Sequence, residues 1–388
     1  MRKFYLYLFL FLPFFGSAII PTLSPRAQVS LVTFAPGKEL HAAFGHAVVW
    51  VNDPDQGIDR AYSYGTFDFN TDNFYFKFLK GTLPYSISFN SMNDLVYYYS
   101  EIEKRGIQIQ NLKLTDPQKM QIFTALEINL LPENKNYQYK FFYDNCSSRL
   151  RDMIEKASPG AFKWKNYKNL EGKSYRDWMN DYLKTNSWVT FGMNLALGVP
   201  ANHLANASES CYLPDNLNLS VQQAEVNGQK LADAPFDVFV SKPSEIENYD
   251  WFGPIPLLVL INLLIAFISI KKRKFEIFIF DVILFSLLGI LAWFIFFLAV
   301  GTDHEVMAYN PSSLLLFPLN FPAVIWFARK TRSDWWTYYC RLAFILTMIG
   351  VIWTLFYFPW IALVGLMPLI RLFFLSHFIK YSHDRTEK

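Results

Sequence analysis

The chain has 388 residues, a net charge of +3, 52% hydrophobic and 18% aromatic residues, and only three cysteines. A near-neutral balance without a basic block argues against a nucleic-acid partner. Three cysteines exclude a disulfide framework, and the chain shows no internal repeat or low-complexity segment.

At the start, Arg2 and Lys3 precede the apolar run Phe4–Phe15 and the small residues Gly16-Ser17-Ala18. This is the pattern of a secretory signal peptide over residues 1–18, with cleavage after Ala18 or as late as Ala27. Pro13 and Gly16 argue against an uncleaved anchor helix. Residues 28–250 mix polar and apolar side chains with Pro and Asn turns, enough for one sizeable soluble domain. Strands are expected at Val29–Phe34, Ala47–Val51, Ala61–Tyr64 and Ile107–Leu114. A turn is expected through Asn52-Asp53-Pro54-Asp55 and Gly57. Thr115-Asp116-Pro117-Gln118 opens a helix with a capping box and an early proline, running to Leu131 and stopped by Pro132. Asp144 and Asn145 can cap a second helix beginning at Cys146. Leu150, Met153, Ile154 and Ala157 recur at helical spacing behind it, and Ser158-Pro159-Gly160 ends the run. Strands followed by helices indicate an α+β domain.

From Trp251 the chain turns almost continuously apolar. Five stretches approach the roughly 20 residues that cross a bilayer. They are Phe252–Ile270, Phe275–Val300, Ser313–Ala328, Leu342–Phe358 and Trp360–Lys380, within a transmembrane region spanning 251–380. Pro318 and Pro322 make the third the weakest. Lys271-Lys272-Arg273-Lys274, then Arg329, Lys330 and Arg332, then Lys380, Arg385 and Lys388 follow alternate spans. The positive-inside rule assigns these basic loops and the 381–388 tail to the cytoplasm. The soluble domain then lies in the periplasm of a multi-pass inner-membrane protein, with Asp303–Asn310 on the same side. Trp251, Trp335, Trp336 and Trp360 suit interface anchoring.

Chemistry concentrates at Tyr143-Asp144-Asn145-Cys146-Ser147-Ser148-Arg149-Leu150-Arg151-Asp152, with Gly45-His46 far upstream. A thiol in the first turn of a helix feels the positive end of the dipole, which favours thiolate. A histidine brought alongside completes the equipment for covalent acyl transfer. His46 alone would read as a buried structural histidine, and the Cys146 context reverses that. His41 competes as base, and a Cys146–Cys211 disulfide competes with a reactive thiol. Cys340 and His377 lie in or beside the spans, where packing explains them.

Three blocks carry a resemblance. The first is Pro36-Gly37 with Phe44-Gly45-His46-Ala47. The second is Tyr64-Gly65-Thr66-Phe67-Asp68-Phe69 with Phe74-Tyr75 and Lys77-Phe78-Leu79-Lys80-Gly81. The third is Asp144-Asn145-Cys146-Ser147-Ser148-Arg149-Leu150-Arg151-Asp152. In this order they resemble the Lnb-type lipoprotein N-acyltransferases of some Gram-negative bacteria. Leu213-Pro214-Asp215 and the C-terminal spans extend the likeness over nearly the whole mature chain. More distantly, Gly-His followed by Asn-Cys resembles circularly permuted papain-like enzymes of the NlpC/P60 and lecithin:retinol acyltransferase type.

The resemblance implies a permuted papain-like fold and transfer of an acyl chain from a membrane phospholipid to the α-amino group of a lipoprotein's diacylglyceryl-cysteine. It implies a Cys146 thioester, His46 as acid and base, and no metal or cofactor. It also favours His46 over His41. Asp68 and Tyr64 are candidates to orient His46. Asn145 and Arg149 are candidate substrate-binding residues, although a surface ion pair with Asp152 at i+3 is the favoured reading of Arg149. His304 and Asn310, beside the outer face of the membrane, are candidates for substrate positioning. Two other classes stay open: a cysteine hydrolase acting on lipid esters or peptidoglycan peptides, and a non-catalytic receptor or scaffold.

Overall fold

The computed structural model describes residues 20–158, 160, 162–164, 172–184, 186–241, 251–271, 278–327 and 334–384. The expected signal peptide, most of the Lys271–Lys274 loop and residues 385–388 lie outside them.

An antiparallel seven-stranded sheet organises the N-terminal domain. Its strands are β1 (Gln28–Phe34), β2 (His46–Asp53), β3 (Ile58–Thr66), β4 (Pro84–Asn90), β5 (Ile107–Asn111), β6 (Asn136–Gln138) and β7 (Phe236–Phe239), in the order β7-β5-β1-β2-β3-β4-β6. The expected strands are present, although β5 ends at Asn111 rather than Leu114. Strands β4, β6 and β7 lie toward the edges and are short or open with proline, which weakens their alternation as a signal. Asp53 fastens the chain's start to the β2–β3 turn: Ser24 donates to it through its N–H and hydroxyl, at 2.6 and 2.7 Å.

Alternation divides the sheet into two faces. Val29, Leu31, Ala47, Val49, Val51, Tyr62 and Tyr64 pack beneath helices, and Val32, Phe34, Val48, Ala61, Ile107 and Ile109 pack on the other face. In chain order the helices are α1 (Phe74–Lys80), α2 (Met92–Tyr97), α3 (Asp116–Leu130), α4 (Cys146–Ala157), α5 (Tyr175–Tyr182), α6 (Ser187–Ala196), α7 (Ala207–Ser210) and α8 (Pro214–Gln223). Ile122 and Phe123 of α3, Leu150 and Ile154 of α4, and Leu217 and Val221 of α8 cover the first face. Both anticipated caps are present: Gln118 Oε1 accepts from the Thr115 N–H at 2.8 Å, and Asn145 starts α4.

The C-terminal region contains α9 (Pro254–Lys271), α10 (Phe278–Val300), α11 (Ser312–Leu316), α12 (Asn320–Phe327), α13 (Asp334–Thr354) and α14 (Ala362–Asp384). Three stretches, Ile279–Val300, Trp335–Thr354 and Pro359–Ser376, are long and apolar enough to cross a membrane; Pro254–Ile270 and Ser312–Ile325 are shorter. The fourth expected span starts earlier than Leu342, because Trp335, Trp336 and Tyr339 continue its helix. The last helix runs to Asp384, into residues expected as tail. The third span is broken at Phe317, whose φ is 49°. Asn320 closes the break by donating to Leu316 O at 2.7 Å and accepting from Tyr339 Oη at 2.6 Å. Apolar surroundings make such compensation obligatory.

Helix α6 joins the two regions. Its Phe191 and Leu195 belong to the apolar cluster of Ile265, Leu288, Ala292 and Leu315 from the membrane helices. Its last carbonyls are capped from both sides. Asn310 Nδ2 donates to Leu195 O and Ala196 O at 2.9 and 2.8 Å. Arg176, 1% exposed, donates to Asn194 O, Leu197 O and Gly198 O, each at 3.1 Å. Gly198 leaves no room for a side chain, since a Cβ there would stand 1.8 Å from Ala308 O. The 301–310 loop is thus on the same side as the sheet domain, as the charge pattern requires.

Within the membrane helices, Arg371 grips Asp281 with two parallel hydrogen bonds, and both side chains are buried. Removing one partner leaves an uncompensated buried charge. Asp281→Leu should therefore destabilise the protein by about 3–5 kcal/mol, and Asp281→Leu with Arg371→Met should recover most of that loss. Thermal unfolding in detergent measures both, and equal losses would remove the ion pair as the cause.

Candidate active site at Cys146 and His46

Helix α4 begins as it does because Asn145 satisfies its first turn. The Asn145 Oδ1 accepts from the N–H groups of Ser147 and Ser148 at 2.9 and 2.8 Å. Its Nδ2 donates to Phe141 O and Tyr212 O, both at 2.7 Å. Asn145 is 2% exposed and all four of its side-chain hydrogen-bonding positions are used, so it holds the helix rather than a substrate.

Cys146 follows at the first helical position, 7% exposed, in contact with the start of β2. Ser147 Oγ lies 3.8 Å from its sulfur, and the Ala47 N–H and the Tyr139 hydroxyl lie near enough to favour the charged form. It sits where β2 and β3 part. Their pairing begins at Val48↔Ser63, and a Cβ on Gly65 would be 3.9 Å from Cys146 Cβ. Burial raises the thiol's pKa, and hydrogen bonds from Ser147, Ala47 and Tyr139 offset only part of that rise. The resting group is a thiol, contrary to the thiolate expected from the helix start, because desolvation outweighs the dipole in this setting. All three cysteines are free; Cys211 is fully buried and donates to Ala207 O at 3.2 Å.

His46 opens β2, held by its neighbours on the other side of the sheet. Its ring stacks 6.2 Å from that of Phe34, and Nε2 lies 2.7 Å from Ser63 Oγ. Nδ1 has no hydrogen-bond partner among the described residues. Burial, then the charge of Arg105, lower its pKa to about 4. Arg105 is 5% exposed, donates through Nε to Ala35 O at 2.6 Å, and keeps one terminal nitrogen without a partner. No hydrogen bond joins Cys146 to His46 among the described residues. The sulfur instead contacts the backbone of the residue that follows His46. Burial holds both the Cys146 thiol and the His46 imidazole toward their neutral forms.

The other candidates fall elsewhere. Asp68 is exposed and accepts from its near neighbour Asn70, through N–H and Nδ2, at 2.8 and 3.0 Å, so it does not orient His46. Tyr64 points to the helix-covered face, where its hydroxyl accepts from Asn129 at 2.5 Å. Ser63, with the opposite pleat, contacts the imidazole instead; alternation from Tyr64 was the available signal. Arg149 pairs with Asp144 through two bonds at 2.6 and 2.7 Å and lies 3.6 Å from the Tyr137 ring centroid. It is Arg151 that pairs with Asp152, at 2.6 Å. His304 lies against the turn after α1, with Nε2 3.2 Å from Phe78 O, and Asn310 caps α6. Both bind the loop to the domain. His41 is exposed on a short 3-10 turn. No cluster of three or more His, Cys, Asp or Glu able to hold a metal occurs among the described residues.

Two outcomes follow. Asn145→Ala should cost about 1–2 kcal/mol or more, because it removes a cap and strands buried carbonyls; chemical denaturation measures it, and a cost near zero would refute the capping account. For His46, the folded pKa of about 4 lies below the ordinary 6.5. At neutral pH both folded and unfolded forms are unprotonated. As pH falls through 6.5 the unfolded chain takes up the proton first, so stability drops between pH 6.5 and 4. His46→Gln should flatten that part of the stability–pH curve, and an unchanged curve would place the titration elsewhere.

Residues 22–180 match the family described as the Lnb N-terminal periplasmic domain, and residues 247–386 match the Lnb transmembrane domain. No curated protein and no solved structure matches the chain. With both domains present in order on one polypeptide, the chain belongs to the Lnb-type family of membrane-associated proteins.

Proposed function

We propose that this protein is a lipoprotein N-acyltransferase with Cys146 as nucleophile and His46 as acid and base. The observation that carries the reading is Cys146 at the capped start of α4, buried in one cluster with Ala47, the residue immediately after His46. We read the domain as a circularly permuted papain-like fold, on a helix-borne Cys packed against an antiparallel sheet whose adjoining strand begins with His.

The neutral resting pair suits a concerted activation. As the sulfur attacks the ester carbon of a phospholipid, the thiol proton passes to His46. The tetrahedral intermediate collapses to a Cys146 thioester, and the proton leaves with the lysophospholipid oxygen. The α-amino group of a diacylglyceryl-cysteine then attacks the thioester, gives its proton to His46, and Cys146 regains a proton as it leaves. The bond at Nε2 to Ser63 fixes the ring and leaves Nδ1 for these transfers. The Cys146 N–H at the helix start is an oxyanion donor. Nothing in the cycle calls for a metal or cofactor. Phospholipid and diacylated lipoprotein are both held in the bilayer, which is why a periplasmic active site on a multi-pass anchor suits the reaction.

Mass spectrometry of lipoprotein N-termini in cells with and without the protein is the direct test. N-acylation should disappear with the protein, with Cys146→Ala, and by roughly 10²-fold or more with His46→Ala, while His41→Ala has little effect. Retained N-acylation in Cys146→Ala would sink the thioester route. Free fatty acid accumulating without an acylated amine would favour a lipid hydrolase using the same pair.

A further inference from the structure

Helix α1 has the sequence Phe74-Tyr75-Phe76-Lys77-Phe78-Leu79-Lys80, and none of its residues is buried. Tyr75 is 82% exposed, Phe76 60% and Phe78 53%, and Phe69 just before the helix is 63% exposed. In water the exposed part of each ring forgoes the transfer energy that burial would give. The helix also stands at the level where the chain leaves the membrane. Asp303, three residues beyond the end of the α10 span, donates its N–H to Lys80 O at 2.9 Å. His304 sits beneath the turn at Gly81, and Gln138 donates to both Gly81 O and Asp303. Lys77 and Lys80 add positive charge beside these rings.

A row of aromatic rings leads inward from the same helix. Phe74 lies 5.9 Å from Phe67, Phe67 lies 5.5 Å from Tyr85, and Tyr85 stacks on Tyr139 at 4.5 Å. The row ends beside Cys146: a Cβ on Gly65 would stand 3.2 Å from the Tyr139 ring and 3.9 Å from Cys146 Cβ.

We infer that α1 is immersed in the periplasm-facing leaflet of the membrane and that the Phe67–Tyr85–Tyr139 row is the route along which a phospholipid acyl chain reaches Cys146. The immersion stands on the exposed rings and their junction with the α10 span. The route rests on the acyl-transfer reading for its purpose but not for its test. An amphipathic element with aromatic and basic residues partitions to a lipid interface by burying the rings and placing lysines among anionic headgroups.

The experiment uses the full chain in nanodiscs of phosphatidylethanolamine and phosphatidylglycerol. Nitroxide labels at Tyr75→Cys and Phe76→Cys should be more accessible to oxygen than to a water-soluble nickel chelate. A label at Gln56→Cys, in the turn at the far end of β3, should show the reverse. Similar behaviour at all three positions would overturn immersion. For the route, a phospholipid bearing a maleimide at the end of one acyl chain should label Cys146, located by peptide mass spectrometry. Tyr75→Asp with Phe76→Asp should slow that labelling about tenfold, with reaction toward N-ethylmaleimide unchanged. Equal rates for the lipid reagent in both proteins, equal losses for both reagents, or no labelling by the lipid reagent would overturn the route. Neither readout needs the protein to be an acyltransferase. Immersion and labelling in a protein that leaves lipoproteins unacylated would refute only the proposed reaction.

Discussion

Asn145 closes four hydrogen bonds at one point of the chain, and the candidate site is built around that closure. Two bonds start α4 and so place Cys146 at its first position. The other two tie that start to Phe141 and Tyr212, the segments flanking it in space. Without them two buried carbonyls and two helix N–H groups would be left unpaired, each costing about 1–3 kcal/mol. The sulfur is placed by the same arrangement: α4 packs along the sheet with its first residue at the point where the pairing of β2 and β3 stops, between Val48↔Ser63 and Gly65. Cap, helix and strand fork therefore act as one unit.

The chemistry that this unit permits is set by dehydration. Cys146 and His46 are both held toward their neutral forms by burial. A preformed thiolate–imidazolium pair would have to be supported by enough hydrogen bonds to replace water, and Ser147, Ala47 and Tyr139 supply only part of that. Two neutral groups need fewer compensating hydrogen bonds in such a dry setting than an ion pair would. Arg105 reinforces the same state from the far side of His46, through its charge alone.

The membrane region is more than a tether. Phe191 and Leu195 of α6 are packed among membrane helices, while the C-terminal carbonyls of α6 are held by Arg176 from the sheet domain and Asn310 from the membrane loop. Asp303, His304 and Glu305 make a second junction with Lys80, Phe78 and Lys140. Two junctions on different elements restrict rotation of the domain about the membrane normal, which one junction would allow. The loop residues first read as substrate ligands are the fastening.

By itself, the sequence determined what local chemistry decides. Asn before Cys with polar residues behind makes a capped helix start wherever the segment lies, and Thr115 with Gln118 does the same for α3. The β-rich run Ala47-Val48-Val49-Trp50-Val51 after His46 makes a strand, and long apolar stretches between basic loops make membrane helices, broken where Phe317-Pro318 interrupts them. The three blocks around His46, Gly65 and Cys146 also carried the family. What the sequence left open depends on pairing across long separations. Tertiary structure assigned Ser63, not Asp68 or Tyr64, to His46, because pleat direction and register choose the contact. It gave Arg149 to Asp144 and Arg151 to Asp152, because helix rotation decides which carboxylate each guanidinium meets. It also replaced the expected thiolate by a buried thiol, because desolvation is a property of everything packed around a group and not of its place on a helix.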